Sequence, residues 1–229
     1  MIDFHRLKAW AIARSIYRAS CILGFESTPK NSLEPYFYDN SSIAFGQNNP
    51  LVFSDIALLE INKTPFIIPS LLCLMRSPYR SFCKINRLVK IGRCMRSSSK
   101  DDRKLKLLLG VGLEATVTYM NNDPKCMKII GCEEGRVDFY LQDLPTPLLS
   151  LMKKQDEGWQ IRDFNAIDGQ PKVKMIFKSV EIGLLSCQNL LDHKISSALG
   201  EYKILGYAPI MEKIGYCAKL TSLQIPLPV

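Results

Sequence analysis

Residues 172–220 read KVKMIFKSVEIGLLSCQNLLDHKISSALGEYKILGYAPIMEKIGYCAKL, and the first seven of them alternate strictly. Val173, Met175 and Phe177 fall on one face with lysines between and beside them. This is the period-two pattern of a strand with one buried face. Ser179 follows as an N-cap, and Val180, Leu184, Leu185 and Cys187 then recur at helical spacing. After the polar run DHKISSAL comes Gly200-Glu201-Tyr202-Lys203-Ile204-Leu205-Gly206, and a second helix is expected over Ala208–Leu220.

Upstream, Asp101-Asp102 opens a short helix expected to run to Leu109, with acids at its positive end. Gly110 and Gly112 read as its stop. Three candidate strands follow: 114–120 (EATVTYM), 125–130 (KCMKII) and 136–142 (RVDFYLQ). The turn-forming runs NNDP and EEG separate them, so the spacing predicts an antiparallel meander. Residues 144–152 are apolar without a clear period, and 159–164 read as a further strand. The resulting class is α+β with mostly antiparallel strands.

The order of these parts resembles the sterol carrier protein type-two family, also called non-specific lipid-transfer proteins. The similarity rests on the strand at 173–177, the helix after it, the small residue Ala198, the Gly200–Gly206 segment and the final helix. It extends over residues 100–220. Two features depart from the family pattern: the segment 145–169 is long and apolar, and Tyr207 stands where an acid is common. The resemblance implies a five-stranded, mostly antiparallel sheet covered by helices that enclose an apolar tunnel. It implies as tunnel walls Met175 and Phe177 on the strand, Leu184 and Leu185 on the next helix, and Ile204, Ile210, Met211 and Ile214 near the end. Methionines suit an adaptable wall of this kind.

The first 99 residues carry no such resemblance and read as a helical N-terminal extension to the domain at 100–229. Residues 1–23 form a helix by composition, 26–50 read as loop, and 51–61 as a short helix. Residues 77–96 read as a basic amphipathic helix with Ser77 as N-cap and Pro78 at its first position. On it Arg76, Arg80, Lys84, Arg87 and Lys90 share an arc of about 120°. Tyr79, Phe82, Ile85 and Val89 lie opposite. The stretch 76–106 holds eleven Lys and Arg against two acids, so most of the net charge of +8 sits there. A basic face of this kind fits an anionic membrane surface, an acidic protein partner, or plain solvent. No recognisable nucleic-acid-binding motif accompanies it.

Other classes find little support. The most apolar run, 65–75, is about half the ~20 residues a bilayer span needs, and it contains two prolines. Charges scattered through the first 22 residues leave no apolar core for a secretory signal. A cytoplasmic location, with peripheral membrane contact as an option, is the expectation. The eight cysteines include no C-x-x-C pair, and His5 and His193 lie near no cysteine pair, which favours reduced core thiols over a metal site. No G-x-S-x-G, P-loop, dinucleotide fingerprint or H-E-x-x-H occurs. His193, in LLDHK, reads as a surface histidine. No catalytic residue, metal or cofactor is therefore expected. The expected function is non-enzymatic binding or transfer of a fatty acyl, sterol or polyprenyl lipid. The alternative is a scaffold, alone or as a homodimer, that presents lipid precursors to partner enzymes of the isoprenoid quinone type.

Overall fold

A computed structural model describes residues 3–26, 32–47, 49–59, 78–153, 157–162 and 170–225. The chain divides into two compact units, one ending at Ser97 and one beginning at Ser98.

The N-terminal unit opens with α1 (Phe4–Ile22), whose Asp3 N-cap accepts from the Phe4 N–H. Four alanines on its buried face let it pack closely. It ends in a Schellman motif: Gly24 takes φ 73°, and the Phe25 N–H reaches back to the Ser20 carbonyl at 2.9 Å. The region expected to be loop contains strands β1 (Pro35–Phe37) and β2 (Ser42–Phe45). With β3 (Leu51–Ser54) they form an antiparallel sheet in the order β1-β2-β3. These strands are short apolar triplets set among turn residues, too brief for a visible period. Their burial is nonetheless complete at Ile43, Ala44, Phe45 and Leu51, with Phe45 and Phe53 in edge-to-face contact at 5.7 Å. The helix expected over 51–61 is therefore a strand followed by the short α2 (Asp55–Leu59). The apolar run 65–75 lies outside the described residues. The unit closes with α3 (Pro78–Arg96), as the proline at its start predicts. Calling this unit helical thus omits its sheet.

The C-terminal unit is built on α4 (Asp102–Asn122), capped by Asp101, whose carboxylate accepts from the Lys104 N–H at 2.7 Å. Fifteen of its residues are buried, so it runs through the interior. The expected stop at Gly110 and Gly112 does not occur, and residues 114–120 are helix, not strand. Leu105, Leu108, Leu109, Gly112, Leu113 and Thr116 keep helical spacing across the glycines. The β-branched residues that suggested a strand are accommodated by back-bonding. Thr116 Oγ1 donates to the Gly112 carbonyl at 2.8 Å and Thr118 Oγ1 to that of Glu114 at 2.9 Å. Residues 125–130 are likewise helical, within α5 (Pro124–Ile130). Asp123 caps α5 by accepting from the Lys125 and Cys126 N–H groups, each at 2.9 Å.

Five strands follow or are interleaved with helices: β4 (Gly135–Leu141), β5 (Leu149–Lys153), β6 (Gln160–Arg162), β7 (Val173–Phe177) and, later, β8 (Tyr202–Gly206). They form one sheet in the order β6-β5-β4-β7-β8. Every pairing is antiparallel except β4 with β7, which is parallel and sets Phe139 opposite Met175. The architecture is thus α+β with a five-stranded, mostly antiparallel sheet flanked by helices. Strict alternation along β7 places Val173, Met175 and Phe177 in the core, as read from the sequence.

Two side-chain and backbone features fix the sheet edges. Asn121 of α4 clasps the backbone at the start of β6: its Nδ2 donates to the Trp159 carbonyl at 2.9 Å and its Oδ1 accepts the Trp159 N–H at 2.8 Å. At the other edge Gly206 adopts φ 102°. A Cβ there would overlap the Lys172 carbonyl oxygen, so both the backbone angle and the close approach call for glycine.

The remaining helices are α6 (Val180–Cys187), α7 (His193–Ala198) and α8 (Ala208–Gln224). Ser179 caps α6 as expected, accepting from the Ile182 N–H at 3.4 Å. Gly183 allows α6 to seat on α4, since a Cβ at that position would lie 2.7 Å from both Leu105 methyls.

Candidate functional site

Among the described residues of the C-terminal unit lies an apolar pocket of about 150 Å³. It lies between α4, the sheet and α8, and it is open on one side. Helix α4 contributes Leu108, Leu109, Leu113 and Thr116, and the sheet contributes Phe139, Met175 and Phe177. Helix α8 supplies Met211, Ile214 and Ala218. The rim is polar: Ser186 and Asn189 at the end of α6, and Lys219 and Ser222 on α8.

The local sequence explains the shape. Gly112 on α4 and Gly215 and Ala218 on α8 remove bulk where the two helices face each other. Met175 and Phe177, two residues apart on β7, point the same way because strand side chains alternate. The result is a space walled by side chains from a sheet face and two helices, the usual construction of a small-molecule site.

Four of the eight residues expected to form a tunnel line this pocket: Met175, Phe177, Met211 and Ile214. The other four do not. Ile210 is fully buried and packs the core beside it. Leu184 is buried at 9% exposure, whereas its neighbour Leu185 is 38% exposed, because consecutive helical residues point about 100° apart. Ile204 sits on the edge strand β8, opposite Met175 but outside the lining. The α4 residues that form a whole wall were missed, because this stretch was read as a helix end and a strand.

The site's chemistry is quiet. Burial pushes the Cys187 thiol up to about 12, so it is protonated at neutral pH. Among the described residues Lys219 is the lone charged group in the lining. Thr116 and Thr221 spend their hydroxyl protons on the carbonyls of Gly112 and Cys217, at 2.8 and 2.9 Å. On the buried side of α8, Cys217 and Cys126 are both buried, and the hydrogen bond the Cys126 thiol donates to the Cys217 sulfur, together with burial, pushes the Cys126 thiol up. Among the described residues no cluster of His, Cys, Asp or Glu could hold a metal ion. The His193 side chain lies outside the described residues.

The basic residues of α3 are placed differently from the expectation. Lys84 is 2% exposed, and its ammonium donates to the carbonyls of Phe45 at 3.2 Å and Asn49 at 2.8 Å. Arg87 is partly buried and donates to the Phe25 carbonyl at 2.8 Å. Arg80 and Lys90 are exposed, and Arg76 lies outside the described residues. The expected apolar side is the one left in water, with Tyr79 at 79% and Phe82 at 67% exposure. The stripe is split, because Lys84 and Arg87 turn inward to carbonyl groups that the unit needs to satisfy while Arg80 and Lys90 stay in water. The basic stripe is therefore not an uninterrupted membrane-facing surface.

Among the described residues no helix is long and apolar enough to cross a membrane. Compared with protein-family models and with curated proteins, the chain matches none.

Proposed function

We propose that the C-terminal unit binds a hydrophobic ligand, without chemistry, in the pocket between α4, the sheet and α8. The observation that carries this reading is the pocket itself: an apolar interior and, among the described residues, a polar rim with one lysine, the Cys187 thiol being kept protonated by burial. The five-stranded, mostly antiparallel sheet under helices supports the sterol-carrier-like reading of residues 100–220.

The volume narrows the ligand. A space of about 150 Å³ lined by Leu, Ile and Phe holds roughly one benzene ring. A rigid four-ring sterol is several times larger. A fatty acyl or polyprenyl chain fits better, because it enters end first and gains about 0.8 kcal/mol for each methylene buried. Met175 and Met211 are the walls that yield as the chain goes deeper, having three rotatable bonds each.

The test is solution uptake of two fluorescent probes, a conjugated polyene fatty acid and a polyene sterol. The acyl probe is expected to bind saturably at one per chain, and the sterol at least about tenfold more weakly. Equal affinity for both probes would remove the size argument. Uptake of neither would remove the binding function.

A further inference from the structure

The stretch that leads away from the pocket rim is built inside out. Helix α7 buries Ser196, at 4% exposure, and leaves Ile195, and Leu199 just past its end, in water at 60% and 65%. Leu185 and Leu190 are also exposed, at 38% and 67%. The backbone holds these side chains where they are. Asn189 takes φ 57° and ends α6 in a Schellman motif: the Leu190 N–H reaches the Leu185 carbonyl at 3.0 Å and the Asn189 N–H reaches that of Ser186 at 3.1 Å. That motif brings the residue before and the residue after the turn together. Asp192 then caps α7 by accepting from the Ile195 N–H at 3.1 Å. Ile195 on α7 and Leu199 just past its end lie one turn apart, with the Leu199 N–H on the Ile195 carbonyl at 2.9 Å.

We infer that residues 185–199 form a membrane-contact surface that seats the pocket mouth on a neutral, zwitterionic lipid surface. Three observations select that occupant. The stretch is continuous with the rim, since Ser186, Cys187 and Asn189 line the pocket. Its apolar groups are large, and a monomer in water gains nothing from presenting them together. Its sequence balances one acid, Asp192, against one base, Lys194, so the stretch itself carries no net charge with which to select anionic headgroups. Contact is therefore by apolar insertion. The inference rests on the pocket holding a lipid chain: a ligand drawn from a bilayer then reaches the pocket without crossing water.

The test uses the full chain and phosphatidylcholine vesicles, with bound protein measured by flotation at low and high salt. Wild-type protein is expected to float with the vesicles at both salt concentrations. The triple variant Leu190→Asp/Ile195→Asp/Leu199→Asp should lose at least about tenfold in partitioning. It should keep the wild-type circular dichroism spectrum and the wild-type uptake of an acyl probe delivered from solvent. No binding by wild type, equal binding by the variant, or binding restricted to phosphatidylserine vesicles and stripped by salt would each overturn the inference. So would a wild-type dimer that the variant dissociates, since the stretch then covers a second copy. Vesicle binding lost only in the variant, with no probe uptake by wild type, keeps the docking surface and removes the chain-binding pocket.

Discussion

Replacing Ala218 with tryptophan abolishes uptake of an acyl probe and leaves the protein folded. Ala218 faces the pocket from α8, one turn after Ile214 and two after Met211. An indole is comparable in size to the empty space of about 150 Å³, so it occupies the volume the ligand needs. Apparent affinity should fall at least about tenfold, or 1.4 kcal/mol. Thermal stability should change little, because the new side chain fills space that is already open and apolar. If the ring fits poorly the cost is about 1–3 kcal/mol of overpacking. Ala218→Ser serves as the control, since it adds one hydroxyl at the same position without filling the space. Undiminished uptake by a folded Ala218→Trp protein would place the ligand elsewhere.

Replacing Lys84 removes a buried clasp of the N-terminal unit. Its ammonium joins the carbonyls that flank Gly46, those of Phe45 and Asn49, and a Cβ at Gly46 would lie 2.6 Å from Nζ. Lys84→Ala leaves two carbonyls without their donor and opens a void, for an expected loss of about 2–4 kcal/mol. Lys84→Met keeps the stem and should lose less. Burial, and after it the charge of Arg87, holds the Lys84 ammonium below its ordinary value of 10.5. The folded chain then binds fewer protons than the unfolded chain in the alkaline range. Stability accordingly rises as pH climbs from the folded value toward 10.5. Lys84→Met should lack that increment. Trp10, stacked on Phe37 at 4.5 Å, reports this unit in urea unfolding when Trp159 is replaced by Phe. An unchanged midpoint in Lys84→Ala would show that the clasp contributes nothing.

How far the fold was legible depended on how each segment announces itself. The strand β7, the cap and helix α6, and helix α8 were read correctly because pattern and punctuation agree there. Helix α4 was not. Two glycines inside a helix normally weaken it by about 1 kcal/mol each, and Thr and Val normally favour strands. In α4 the buried face decides the matter, and leucines at helical spacing on both sides of Gly110 and Gly112 were the available signal. Helix α5 was also announced, by Asp123 followed by Pro124, yet its alternating KCMKII pulled the reading toward a strand. Half of the expected wall residues, those on β7 and α8, line the pocket, because the periods there were right. The wall from α4 was lost with its secondary structure. The burial of Lys84 had no local signal at all, because its partners are carbonyl groups far away in sequence.

The most direct test of the central claim is native mass spectrometry of the gently purified protein, repeated after organic extraction. The account predicts one single-chain acyl or prenyl molecule per protein, released by extraction and absent from Ala218→Trp. Protein that arrives empty and takes up nothing from a mixed lipid extract would contradict it.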